Sequence, residues 1–300
     1  MPHSSGHASM ASRALLTQVH HGSVLSLALG SPDVVVDRVI RLAYRSWKSA
    51  TGQHTLPTFD AYLQAAYMHR GFLPPQAAHY GLPHNVVLFF AYNEAGFHET
   101  DIVWSRDDDV AEAYRWRRWV VMDVIAPQPH LIIPFREPFI PYQGNAARME
   151  AALNKMDVLP VWFTQTNRTV GVPVDAANEI LALLPPNRTF GRSQAHTIKI
   201  KFSWPGYNPC DKQVRLLRAG QARASVTVAR LAQLVASSVH NFMGEATASG
   251  PTLGSPGQWR IGIQPGQISV HDVVLLGIAF VSEGAAIPLL QVRSGFVFSR

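Results

Sequence analysis

The residues of this 300-residue chain best placed to do chemistry are cations on a short stretch. Nine Lys and Arg stand between Arg188 and Arg230, against one acid, Asp211. Within this stretch is the strand-like segment His196–Trp204, where Lys199 and Lys201 alternate with Ile198, Ile200 and Phe202. In a strand, residues two apart share a face, so the two lysines point together and the apolar residues point the other way. Gln213–Leu217 reads as a partner strand, which would bring Arg215 across from the lysines and leave Lys212, Arg218 and Arg223 nearby. Trp204 and Tyr207 follow at the tip of that hairpin. Cations neutralise phosphates and exposed aromatics stack on bases, so this set fits a nucleic acid. It fits an acidic protein surface equally well. The alternative is a basic solvated face with Trp204 buried beneath it.

A second set could act as acid–base or metal-binding groups: Glu94, His98, Glu99, Asp101 and Asp107–Asp109. Carboxylate and imidazole ligands at such spacing suit a divalent ion. A solvated acidic loop followed by a helix cap accounts for the same residues. The single cysteine, Cys210, lies beside Lys212 but has no identifiable base, so an unreactive thiol is expected. One cysteine also excludes a disulfide scaffold and a cysteine-based zinc site within the chain. The thirteen histidines are scattered. No nucleophile elbow, phosphate loop, dinucleotide fingerprint, zinc-protease helix or EF-hand loop occurs, and no catalytic residue, metal or cofactor is assigned.

These groups must be positioned by folded elements. Hydrophobic residues make up 47% of the chain and charged residues 15%, which is enough apolar matter for a sizeable core and excludes a mainly disordered chain. Residues 1–150 hold twelve cations and thirteen acids, whereas residues 151–300 hold fourteen and seven, so the net charge of +6 belongs to the second half. The first twelve residues are small and polar, and 1–30 reads as a disordered or loosely packed tail. Ser31-Pro32-Asp33 starts a helix running to Ser49, with Val36, Val39, Ile40, Ala43 and Trp47 facing a core and Arg38, Arg41, Arg45 and Lys48 on other faces. A second helix starts near Thr58. Asn85–Tyr92 reads as a buried strand, Ala111 to about Arg118 as a helix, and Trp119–Ile125 and His130–Phe135 as strands. Asn145–Met156 reads as a short helix, and Leu159–Thr164 is strand-like. Asp175 caps a helix through Leu184.

The last third is patterned most clearly. A hairpin, a long amphipathic helix from Ser225 to about Gly244, a strand at Trp259–Ile263 and a closing hairpin (Val273–Val281, Ile287–Val292) predict an antiparallel sheet with one helix on a face. A ubiquitin-like roll is one topology with a similar order. The fold class is therefore α+β: a mixed N-terminal domain over 31–187 and a C-terminal domain over 188–300, divided near 185–195 at the double proline. The segments HTIKIKFSWPGY, TVARLAQLVASSVHNFM, QWRIG and DVVLLGIAFVSEG occur in this order in what resembles a family of uncharacterised fungal proteins. The resemblance covers about a third of the chain and implies a domain, with no activity attached.

The expected role is a non-enzymatic binding protein. Nucleic acid is favoured on the cationic hairpin face, with an acidic protein surface as the other candidate partner. Two further readings stay open: an enzyme centred on His98, Glu99 and Asp101, and a self-assembling scaffold whose closing hairpin pairs edge to edge with a second copy. The mildly apolar stretch Ala14–Leu29 is broken by His20, His21 and Gly22 and makes a poor secretory signal. No apolar run is long enough to span a membrane, and cytoplasm or nucleus is the expected location.

Overall fold

The computed structural model describes residues 8–50, 58–67, 85–92, 102–105, 117–136, 141–142, 144–176, 179–186, 188, 190, 196–216 and 226–298. The chain forms two compact units, Met1–Ser26 with Ser31–Ala126, and Leu27–Gly30 with Pro127–Arg300. The fold class is α+β. The division falls at residue 126, not in the 185–195 stretch, because strands before the double proline pair with the C-terminal hairpin.

The first unit holds helices α1 (Met10–Val19), α3 (Pro32–Ala50) and α4 (Phe59–Tyr67), with α2 (Val24–Ala28) crossing its boundary, and strands β1 (Val86–Tyr92), β2 (Ile102–Ser105) and β3 (Arg117–Val124). The strands form an antiparallel sheet in the order β1-β3-β2. The expected tail at 1–30 thus carries two helices, α1 and α2, from Met10 to Ala28. Ser9 caps α1 by accepting from the Ser12 amide, and Asp60 of α4 accepts from the Ser9 amide and the Ser12 hydroxyl at 2.9 and 2.7 Å. Those hydrogen bonds, the Ser9 amide foremost, hold the Asp60 carboxyl below its ordinary pKa. On α3 the apolar face is the expected one, with Val36, Val39, Ile40 and Ala43 buried and Trp47 half-buried. Arg38, expected on an outer face, is also buried. Arg117 and Arg118 belong to β3 and not to a helix; the rest of the expected helix lies outside the described residues.

The second unit holds α5 (Ala146–Lys155), β4 (Val161–Trp162), β5 (Val172–Pro173), α6 (Ile180–Leu183), β6 (Thr197–Phe202), β7 (Cys210–Arg215), α7 (Val228–Ser249), β8 (Val273–Ser282) and β9 (Ala285–Val292). Its sheet runs β4-β8-β9-β6-β7, with β5 also on β8. The expected antiparallel sheet contains one parallel pair, β6 with β9. The long helix α7 connects β7 to β8 and buries an apolar stripe, Val228, Leu231, Val235, Val239 and Phe242 among it. Phe202 of β6 stacks on Phe242 with ring centroids 4.7 Å apart. That contact identifies which face of β6 lies under α7.

Two expected strands take other forms. Residues 129–131 form a short 3-10 turn, and Ile132 makes a single bridge to Gln291. Residues 257–259 form another 3-10 turn, followed by an Ile261–Ile268 bridge. The helix expected from Asp175 through Leu184 shortens to α6. Both strands of the closing hairpin are flanked: β9 by β6 and β8, and β8 by β9 on one side and by β4 and β5 on the other. These flanking ladders are short: β6 meets β9 at Ala285 and Ala286, β4 meets β8 at Gly277 and Ile278, and β5 meets β8 at Val274 and Leu275. Gly277 permits this arrangement: a β-carbon there would lie 2.4 Å from the Val161 carbonyl oxygen.

Candidate functional site

Strand β6 alternates as its sequence demands. Ile198, Ile200 and Phe202 are buried, Lys199 is exposed, and Thr197 and Lys201 are half-buried. Burying three such side chains contributes about 1.5–3 kcal/mol each, which fixes the strand's parity, since a one-residue slip would bury both lysines instead. Across the ladder, Thr197 faces Arg215, Lys199 faces Gln213 and Lys201 faces Asp211. Directly opposed residues share a face, so Thr197, Lys199, Lys201, Asp211, Gln213 and Arg215 all stand on the side of the sheet away from α7. The Gln213 side-chain amide donates to Thr197 Oγ1 at 3.0 Å, a diagonal link along that face.

The cations of this region divide into three groups. Lys199 and Arg215 are exposed and have no ion pair among the described residues. Lys201 donates to both oxygens of Asp211, at 3.1 and 3.3 Å. Lys212 faces Ile200 in the ladder, on the α7 side, and donates to Glu245 of α7 at 2.6 Å. Lys212 is therefore off the outer face and already paired. Arg218 and Arg223 lie outside the described residues.

The two aromatics are not at an exposed tip. Trp204 and Tyr207 are each 3% exposed. The Trp204 indole donates to the Trp259 carbonyl at 2.6 Å. The Tyr207 hydroxyl accepts from the Ile261 amide at 2.9 Å. Burial pushes the Tyr207 phenol above its ordinary pKa. Residues 252–261 fold over the turn between β6 and β7, and Gly206, at φ 84°, allows it: a β-carbon there would strike Pro256 at 2.6 Å. Stacking on bases by Trp204 and Tyr207 is thereby excluded. The Cys210 thiol is pushed up by burial, against the opposing pull of Lys212, so it is a poor nucleophile at neutral pH.

A second feature borders the same sheet and belongs to no motif of the sequence. Helix α5 presents Arg148 and Lys155 to a cleft of about 820 Å³, and the turn Ser282–Gly284 forms the opposite wall. Seven residues on a helix rise about 10.5 Å and return to nearly the same angle, so the two cations stand on one face two turns apart. Ala151 and Ala152 lie between them and leave the cleft open, while Pro141 and Tyr142 border it. Asn145 caps α5 by accepting from the Arg148 amide at 3.0 Å. Ser282 faces Ala285, and Ala285 is the register partner of Lys199, so this wall and Lys199 share the outer side of the sheet. The Lys199 amide ties down the turn by donating to the Gly284 carbonyl at 2.9 Å. The seven-residue spacing of Arg148 and Lys155 and the hairpin turn at 282–284 are both signals the sequence carries; that they line one cleft is not.

In the first unit, His20 Nδ1 lies 2.9 Å from Asp123 Oδ2, with both side chains fully buried. Asp123 Oδ1 also accepts from the Leu25 and Val124 amides at 3.1 and 2.8 Å. Together these bonds tie the end of α1 and the start of α2 to β3 and satisfy a buried carboxylate. Of the other candidate groups, Glu94, His98, Glu99, Asp101 and Asp107–Asp109 lie outside the described residues. Among the described residues no group of three or more His, Cys, Asp or Glu could hold a metal ion. Nor is any described helix long and apolar enough to cross a membrane. No family model, curated protein or solved structure matches the chain.

Proposed function

We propose that this chain is a non-enzymatic binding protein that takes the phosphate backbone of a nucleic acid on the outer face of β6 and β7. The observation that carries this reading is the parity of the two strands. It puts Lys199 and Arg215 together on an exposed face, with no ion pair among the described residues, beside the hydrogen-bonding side chains of Thr197 and Gln213. Phosphate contacts of this kind release counterions and carry no base information, so binding is salt-sensitive and weakly selective for sequence. With Trp204 and Tyr207 buried, affinity rests on charge and hydrogen bonds.

The test is a fluorescence-anisotropy titration of a labelled single-stranded oligonucleotide at several salt concentrations. Each lost phosphate contact removes about 0.7 from the slope of log K against log salt, so Lys199→Glu with Arg215→Glu should flatten it by at least about 1.4. Binding that ignores salt, or that survives the double substitution, overturns the reading. Salt-sensitive capture of a polyglutamate peptide with no uptake of the oligonucleotide also overturns it, in favour of an acidic protein surface.

A further inference from the structure

We propose that the cleft between α5 and the β8–β9 turn is a site for a nucleoside monophosphate. The proposal rests on residues other than Lys199 and Arg215. The volume of about 820 Å³ falls in the range of small-molecule sites, ~300–1,000 Å³. Its two walls differ in chemistry. The α5 wall supplies Arg148 and Lys155, exposed and without an ion pair among the described residues. The turn wall supplies the Ser282 hydroxyl and the Glu283 carboxylate. A ligand matching both must be anionic at one end and rich in donors at the other. Inorganic phosphate meets only the first condition, and Glu283 opposes it. A nucleoside monophosphate meets both: its phosphate is bound by guanidinium and ammonium, and its ribose hydroxyls and exocyclic amine donate to Glu283.

Tyr142 supplies the third element. Its side chain borders the cleft and the residue is 59% exposed, one of the few large apolar-bodied side chains left in water among the described residues. Its carbonyl is held by the Asn145 amide at 2.9 Å, just ahead of the cap of α5. An aromatic face beside two cations is the pairing that binds a base and its phosphate together. Ala151 and Ala152 leave room along α5, and Gly284 adds no side chain to the opposite wall.

The experiment is isothermal titration calorimetry of the full chain with AMP, with adenosine and with inorganic phosphate. AMP is expected to bind more tightly than either fragment. Arg148→Ala with Lys155→Ala should weaken AMP at least about tenfold, as expected for the loss of charge-assisted hydrogen bonds. Tyr142→Ala should weaken AMP and adenosine about fivefold or more while leaving inorganic phosphate unchanged. Glu283→Gln should weaken AMP and not inorganic phosphate. These side chains are exposed, and unchanged thermal melts establish that each variant is folded. No AMP binding at about 5 mM, or AMP affinity untouched by the α5 double substitution, overturns the proposal. Lys199→Glu with Arg215→Glu separates it from the oligonucleotide reading. Loss of oligonucleotide with AMP retained supports both proposals. AMP binding by a protein that never takes up oligonucleotide sinks the backbone reading alone, and the converse sinks the cleft.

Discussion

Replacing Asp211 with asparagine should strengthen binding, and the direction follows from the sheet's parity. Asp211 is the one acid on the outer face of β6 and β7, 3.1 Å from Lys201 Nζ. Its side chain is 42% exposed and that of Lys201 is 18% exposed. A partly exposed pair of this kind contributes about 0–1 kcal/mol, and asparagine keeps the shape, so the fold survives the change. The outer face of β6 and β7, which carried Lys199, Lys201 and Arg215 with one carboxylate of its own, then supplies none, and its net positive charge rises by one. One added phosphate contact steepens the salt slope by about 0.7 for a single strand. Between about 200 and 50 mM salt that is an extra gain of about 2.5-fold over the parent protein.

The informative comparison is Glu245→Gln. It changes the net charge of the protein by the same one unit. Glu245, however, belongs to α7 and pairs with Lys212, which faces Ile200 on the covered side of the sheet. Its removal adds no charge to the outer face, so the slope should match the parent's. Anisotropy titrations of both variants with one labelled single strand, at three salt concentrations, read the difference directly. Equal steepening in the two variants would mean that total charge governs binding and that parity does not. An unchanged slope in Asp211→Asn would mean that no phosphate sits at that face.

Three stability predictions test the second unit. Gly277→Val puts a side chain where its first carbon would already lie 2.4 Å from the Val161 carbonyl oxygen, and should cost about 1–3 kcal/mol in denaturant unfolding by pushing β4 off β8; an unchanged midpoint would refute the close approach. Phe202→Ala removes a ring stacked on Phe242 in a buried site and should cost about 3–5 kcal/mol, with loss of near-ultraviolet circular dichroism; a cost below about 1 kcal/mol would refute the packing of α7 on β6. Asp272 accepts from the Ser269 amide and hydroxyl and from Arg293 Nε at 3.0, 2.6 and 2.6 Å. Burial alone would raise its pKa, but these hydrogen bonds prevail and hold it below the ordinary carboxylate value. Its stabilisation is therefore complete above the unfolded value of about 3.9 and is lost as pH falls through the lower folded value, and Asp272→Asn should flatten acid unfolding in that window.

Local pattern made much of the second unit legible. The two-residue period of 197–202 and the helical period that follows it fix β6 and α7 before any tertiary information. The failures share a cause. Residues 259–263 and 130–135 look like strands because they are short and apolar, yet apolarity measures burial and not hydrogen-bond partner. Trp259 and Ile261 are held by hydrogen bonds to the side chains of Trp204 and Tyr207, some fifty residues earlier. Arg117 and Arg118 look like the end of a charged helix, yet pair with β1 in a ladder. The parallel pairing of β6 with β9 joins residues over eighty positions apart, and no local signal encodes which strand a hairpin will lie beside.

The candidate site was half legible for the same reason. A strand's sequence assigns each charge to a face, and that assignment holds for Lys199 and Lys201. It does not say which charges a folded neighbour has already neutralised. Nine cations against one acid suggest a plate, but the acid sits directly across from Lys201, and a carboxylate from α7 meets Lys212 on the far side. What attracts an anion is the remainder after such pairing, so two cations count here for more than the nine of the sequence. The same logic raises Arg148 and Lys155 in importance. Their seven-residue spacing is visible in the sequence but the cleft is not; they keep their charge unpaired among the described residues and share a wall with 820 Å³ of open cleft. Long-range electrostatic attraction would bring a phosphate to either place; only the cleft adds walls that can tell one phosphate-bearing molecule from another.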